Sequence, residues 1–197
     1  MENRAYSFYP KYCNWDGCVL PVDNRIAYNE ANNNSAKQQL EEIAPGVILY
    51  EYPGKRIFAL DHNTESLIFD VLYEIKTISL KNNEGSPAVQ KTAIRQLQLY
   101  KEAGAEHTET LPSRIFWDYI AKKADVVVTS DEQTVDGKRF WAAQIGKAFR
   151  KKLRVSHWDE NRKVITPIPT EYDFKNVVSS YYGDLPRYKA SRVIIEL

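Results

Sequence analysis

The chain has 197 residues, with 27 Lys and Arg against 26 Asp and Glu and a formal net charge of +1, a balance that excludes a surface built throughout for nucleic acid or anionic lipid. Hydrophobic residues at 43% and charged residues at 27% supply a core and exclude disorder along the whole length. Residues 1–45 read as an N-terminal arm. Pro10, Pro21 and the polar run Asn32-Asn33-Asn34-Ser35 separate its aromatic clusters, and Ala36–Ile43 has the composition of a short helix stopped by Pro45-Gly46. The opening residues lack a basic start and an apolar run, and no stretch approaches 18 apolar residues, so a cytoplasmic protein without membrane contact is expected. Cys13 and Cys18 read as reduced thiols. Zinc takes four ligands, and His62, His107 and His157 are remote in sequence, so no metal site is expected there.

From Gly46 the pattern becomes that of strands. Val47–Tyr52 and Arg56–Leu60 flank the turn Pro53-Gly54, and a second turn over 61–66 leads into Leu67–Leu80. In that last run Leu67, Phe69, Val71, Tyr73 and Ile75 share one face and Asp70, Glu74 and Lys76 the other, which predicts a meander with one buried face. Residues 82–87 break it, and 92–100 read as a further strand. Leu111-Pro112-Ser113 opens a helix over 114–123 with an apolar stripe of Ile115, Phe116, Tyr119 and Ile120. A buried strand over 125–130, a polar loop to Gly137, a helix to about Lys152, a strand over 153–158, a helix over 171–182 and a last strand over 191–197 complete the order. The expectation is a single α+β domain over 46–197, an antiparallel β-meander followed by β-loop-α-β-α-β.

The loop before the second helix carries the most specific signal. A glycine at a helix start leaves backbone N–H groups unpaired at the positive end of the helix dipole, and this geometry takes phosphate. Gln133, Thr134, Gly137, Lys138 and Arg139 stand there. The order of meander, buried strand, Gln-x-x-Gly-type loop, helix and strand resembles the GNAT-type N-acetyltransferase fold. The family's loop is usually Gln/Arg-x-x-Gly-x-Gly/Ala, whereas here Gln133 and Gly137 are one residue further apart and Arg139 takes the second small position. The resemblance implies an acyltransferase that moves an acetyl group from acetyl-CoA to an amine on a protein or small molecule. Its loop amides would hold the coenzyme pyrophosphate, and the strands flanking the loop would splay around the pantetheine arm. A carboxylate, Glu74 or Asp131, would accept the amine proton. Tyr181 or Tyr182, near the end of a segment similar to the family's fourth helix, would protonate the departing thiolate.

Two other readings use the same chain. Asp61, Glu74-Ile-Lys76 and Gln96 with Tyr100 resemble a PD-(D/E)XK nuclease core, in which two carboxylates hold Mg²⁺ or Mn²⁺ and the lysine serves the attacking water. That core requires a helix over 89–103. The basic run of Lys147, Arg150, Lys151, Lys152 and Arg154 would then contact a nucleic-acid backbone, or in an acyltransferase an acidic partner or the coenzyme 3′-phosphate, but it reads first as a solvated helix end whose cations complement the dipole. Ser130 and His157 pair as nucleophile and base if their strands are neighbours. The third reading is a non-catalytic interaction protein on the same fold.

Overall fold

The structure is a computed structural model and describes residues 24–101, 110–129, 135–181 and 191–197. The fold is α+β, with nine strands in a mixed sheet and, among the described residues, four α-helices. The chain divides into two compact units, residues 1–73 with 98–115 and residues 74–97 with 116–197.

In the first unit, helix α1 (Asn24–Asn32) precedes β1 (Gln38–Ala44), β2 (Val47–Tyr52), β3 (Arg56–Asp61) and the opening half of β4 (Ser66–Leu80), paired antiparallel in sequence order. Pro-Gly makes the first two turns. Lys55 N donates to Tyr52 O at 3.1 Å and Gly54 has φ +75°, as the third position of a type II turn requires after Pro53. Gly46 repeats the step between β1 and β2 with φ +77°. That turn overrides the helical composition of Ala36–Ile43. The stretch folds back along β2 as β1, where backbone pairing across a tight connection outweighs weak local propensity. The helix instead occupies 24–32, where Tyr28 and Ala31 bury one face against Tyr50, Phe58, Leu60 and Leu67.

Strands β2 to β4 are buried on both sides. Leu49, Ile57, Ala59, Phe69 and Val71 on the face opposite α1 are as inaccessible as Phe58 and Leu60. The single buried face expected for β4 is therefore corrected: Leu67, Phe69, Val71 and Tyr73 are buried as expected, but so are Ile68 and Asp70, whereas Ile75 is exposed. A carboxylate survives there because it is paired. Arg56 Nε and Nη2 donate to the two Asp70 oxygens at 2.7 and 2.9 Å, and the guanidinium lies 4.8 Å from the Phe58 ring centre. On the opposite face Tyr73 OH donates to the buried Glu51 carboxylate at 2.7 Å. The unit also holds the end of β5 (Val89–Lys101) and helix α2 (Leu111–Ile115), with Leu111 and Ile115 buried.

The second unit holds the close of β4, the start of β5, and β6 (Val126–Val128), β7 (Val155–Asp159), β8 (Val164–Pro167) and β9 (Ser191–Glu196). β5 is parallel to β6; β6 is antiparallel to β9, β9 to β7, and β7 to β8. β5 confirms the strand expected over 92–100, and it stands where the nuclease core requires a helix, so that requirement is not met. β8, with four residues and a proline, was absent from the expected order and makes it β-α-β-β-α-β. Its turn is closed by Asp159, whose Oδ1 accepts from Asn161 N and Arg162 N at 3.0 Å each. β9 lies between β6 and β7, so the two strands flanking the expected phosphate loop do not pair with each other.

The helical run continues from α2 as a π turn over Phe116–Ile120 and a 3₁₀ turn over Ala121–Lys123. Helix α3 (Val135–Arg150) packs Trp141, Ile145 and Ala148 inward at helical spacing, and Phe116 meets Phe140 and Trp141 edge to face. It begins two residues before the expected start, which places Gly137 inside its first turn. It ends in a Schellman motif, Leu153 N to Ala148 O at 3.0 Å and Lys152 N to Phe149 O at 2.9 Å, with Lys152 left-handed at φ 59°. Helix α4 (Glu171–Tyr181) starts at a cap in which Thr170 Oγ1 accepts from Asp173 N at 3.1 Å. Among the described residues no helix is long and apolar enough to cross a membrane.

The two turn glycines separate strain from crowding. A Cβ at Gly54 meets nothing within 4 Å, so Gly54→Ala should cost about 1–2 kcal/mol for the left-handed backbone alone. A Cβ at Gly46 would run into the Asn63 carboxamide, which is fixed by its bond to Pro45 O, so Gly46→Ala should cost clearly more in urea unfolding. Asp70→Asn should cost about 3–5 kcal/mol by the same measurement, because it leaves the Arg56 charge buried without its partner.

Candidate functional site

Glu74 and Lys76, two residues apart on β4, share a strand face and bond to each other at 2.8 Å while remaining half exposed. This is a solvated surface pair by geometry. Asp61 Oδ1 accepts from Asn63 N at 2.8 Å and Thr64 N at 3.4 Å, so its carboxylate forms the turn between β3 and β4. The side chains of Gln96 and Tyr100 lie outside the described residues. Among those described, no three His, Cys, Asp or Glu side chains group as metal ligands.

Of the expected coenzyme loop, Asp131, Gln133 and Thr134 lie outside the described residues, as do Ser130 and Tyr182 and the side chain of Tyr181. Gly137 is half buried in the first turn of α3, with Lys138 and Arg139 exposed beside it. The strand that leads towards this helix, β6, pairs in parallel with β5 at only two positions, Ala93 with Val126 and Ile94 with Val127. That ladder stops although β5 runs on to Lys101 and β6 to Val128. Cys13, Cys18 and His107 also lie outside the described residues.

The basic run resolves into different environments. Lys147 and Lys151, one helical turn apart, place their ammonium groups 5.9 and 4.4 Å from the centre of the buried Trp117 ring. Trp117 Nε1 donates to Gln144 Oε1 at 2.9 Å, which fixes the ring that they cover. Arg154 pairs with Glu196 at 3.2 Å, and Arg150 and Lys152 are exposed at the helix end.

Two histidine clusters emerge, one around His62, which the sequence reading did not single out, and one around His157, which it did. In the first unit His62 is held between two phenols, Tyr28 OH to Nδ1 at 2.7 Å and Tyr50 OH to Nε2 at 3.0 Å. A neutral imidazole has one N–H, so one tyrosine donates to the ring and the other accepts from it. Burial raises both phenol pKa values, helped at Tyr28 by the Glu65 and Asp61 charges, and burial lowers that of Lys37, whose ammonium lies 4.7 Å from the Tyr50 ring centre. The cluster joins α1 to β2 and to the turn after β3. In the second unit His157 Nε2 bonds Ser191 Oγ at 2.6 Å, the diagonal neighbour across the β7/β9 ladder. Ser191 is a residue the sequence reading passed over, because nothing in the chain order sets β9 beside β7.

On the same face of β7, Asp159 faces His157 electrostatically from two residues away. Burial lowers the His157 pKa, and the Asp159 charge opposes that shift without cancelling it. Nearer the sheet's end Glu160 receives Arg95 Nη2 on Oε1, and Arg192 Nη2 stands 3.8 Å from Oε2. The chain matches no family model, no curated protein and no solved structure.

The lowered His157 pKa has a definite sign. As pH falls below the ordinary imidazole value of 6.5, the unfolded chain takes up a proton that the folded chain resists, so this contribution to stability is present above that pH and lost below it. Urea unfolding between pH 7 and 5 should show a loss of stability on acidification that is shallower in His157→Gln. Equal slopes in the two proteins would show that the imidazole stays accessible to protons.

Proposed function

We propose that the chain is an acyl-CoA-dependent acyltransferase that moves an acetyl group to an amine. The observation that carries the reading is the parallel step from β5 to β6, an interrupted ladder of two residue pairs among antiparallel neighbours. In the resembling family two strands part to admit the pantetheine arm, and ligands of open sheets gather at the carboxyl ends of parallel strands. In this reading the parting pair is β5 and β6 rather than the expected β6 and β7, because β9 occupies the latter gap. The carboxyl end of β6 leads to the loop expected to hold the coenzyme.

The residues present fit a polyanionic coenzyme in kind: Lys138 and Arg139 are exposed cations in the first turn of a 16-residue helix, at its positive end. Gln133, Thr134 and Gly137 would complete the pyrophosphate contact. Acetyl-CoA supplies the activated thioester. Attack by the neutral amine forms the C–N bond and breaks the C–S bond; Glu74 or Asp131 takes the amine proton and Tyr181 or Tyr182 gives one to the thiolate sulfur.

Acetyl-CoA at about 100 times its Kd should stabilise the full chain by roughly 2.7 kcal/mol, read as a rise of several degrees in the thermal midpoint. Charge reversal at both Lys138 and Arg139 should weaken binding at least tenfold by calorimetry, with the fold checked by circular dichroism. No stabilisation by acetyl-CoA, or equal affinity in the double variant, removes the reading.

A further inference from the structure

Side chains from two strands of the second unit meet on one face of its sheet. Ser191 opens β9 directly opposite Asp159 of β7, and His157 is two residues before Asp159, so Ser191, His157 and Asp159 leave their strands on the same side. The imidazole and the hydroxyl are already in contact, Nε2 to Oγ at 2.6 Å. Asp159 is anchored beside them: its Oδ1 accepts from the Asn161 and Arg162 amides at 3.0 Å each, and Arg162 Nε stands 3.8 Å from Oδ2. His157, Asp159 and Ser191 are each half buried, sheltered from bulk water yet within reach of a small molecule.

A serine hydroxyl alone is a weak nucleophile, and it is activated when an adjacent base takes its proton and a third group steadies that base. His157 meets the first requirement, since Nε2 is within hydrogen-bond reach of Oγ and burial favours the neutral ring. With the ring proton on Nδ1, Nε2 accepts from the hydroxyl. Across the two ladders the ring faces Val193 of β9 and Thr166 of β8, neither of them charged, so the negative charge that answers an imidazolium is that of Asp159. We propose that Ser191 is a nucleophile with His157 as its base and Asp159 as a positioning residue, and that the group it takes is the acyl group of a small ester. Ser191 Oγ bonds to the acyl carbon, the ester C–O bond breaks, and the hydroxyl proton passes through His157 Nε2 to the leaving alkoxide oxygen. Water then attacks the acyl-serine, giving its proton to His157, which returns it to Ser191 Oγ as the carboxylic acid departs. The site shares no residue with the coenzyme loop and does not depend on acyl transfer from acetyl-CoA.

The full chain is treated with diisopropyl fluorophosphate, which forms a P–O bond to an activated serine with loss of fluoride, and the adduct is located by mass spectrometry. Ser191 should be labelled in the folded chain and not in the chain unfolded in urea. Complete labelling should abolish the release of p-nitrophenolate from p-nitrophenyl acetate. His157→Gln, which keeps an acceptor and loses the base, should slow labelling about a hundredfold or more. Asp159→Asn keeps the turn acceptor and removes the charge that opposes the lowering of the His157 pKa, so the midpoint of labelling rate against pH should move to lower pH, a shift that a turn-forming role alone would not produce. The proposal is overturned if Ser191 carries no adduct, if the unfolded chain is labelled at the same rate, or if p-nitrophenolate release survives complete labelling. Those readings come from the parent chain and need no variant to fold.

Discussion

Strand β9 fixes the second unit, because it pairs with β6 over Ile194–Glu196 on one edge and with β7 over Ser191–Ile195 on the other. Val193, Ile194 and Ile195 are at most 1% exposed, and one edge takes β6 while the other takes β7. Bonds outside the ladders extend the same clamp: Thr129 N to Val193 O at 3.0 Å, Leu197 N to Asp125 O at 3.0 Å and Glu196 N to Arg154 O at 2.9 Å. β6 and β7 are joined by α3 in the chain, yet they are separated in the sheet by a strand made last. Their register therefore rests on contacts of long sequence separation, the kind that forms late and at high entropic cost. The serine on His157 and the arginine opposite Trp158 are both carried by β9, so the positions of both polar clusters follow from the same insertion.

The local devices of the fold were legible. Pro53-Gly54 marked its hairpin, the alternation over 67–73 marked β4, and the stripe around Ile115 and Phe116 marked a helical run. What failed has particular causes. Ala36–Ile43 carries glutamine, glutamate and leucine, which favour a helix, but Pro45-Gly46 returns the chain onto β2 before a helix can gain any packing. Asp70 read as a surface residue because alternation places polar groups outward, and only the bond to Arg56, fourteen positions earlier, reveals that its face is covered. β8 has too few residues for a period, and its pairing comes from the turn at Asp159. Of the polar clusters, the sequence marked His157 and passed over Ser191, since adjacency in a sheet depends on strand order rather than on spacing.

The near-zero charge of the chain conceals a partition. The first unit has 8 Lys and Arg against 13 Asp and Glu, and the second has 19 against 13. Each unit is assembled from two separated stretches of chain, and the shorter stretch of each adds to the sign of the longer one. In the first unit the buried charges answer one another, Arg56 with Asp70, and the buried Glu51 accepts from a tyrosine whose pKa is pushed up by burial and by that bond. Those pairs are internal and leave little for an outside ligand to satisfy.

The excess of the second unit can be sorted by what already neutralises each cation. Lys147 and Lys151 lie over the Trp117 ring, and Arg150 and Lys152 stand where the negative end of the α3 dipole meets solvent, an arrangement that helix stability alone accounts for. Arg154 has Glu196, and Arg162 has Glu84 at 3.3 Å with Asp159 behind it. Arg95 and Arg192 differ from all of these, since they draw on the same carboxylate and one of them is buried. The buried Arg192 also donates from Nη1 to the Ser191 carbonyl at 2.9 Å, so the strand that carries the cation helps to hold it, as burial of a charge requires.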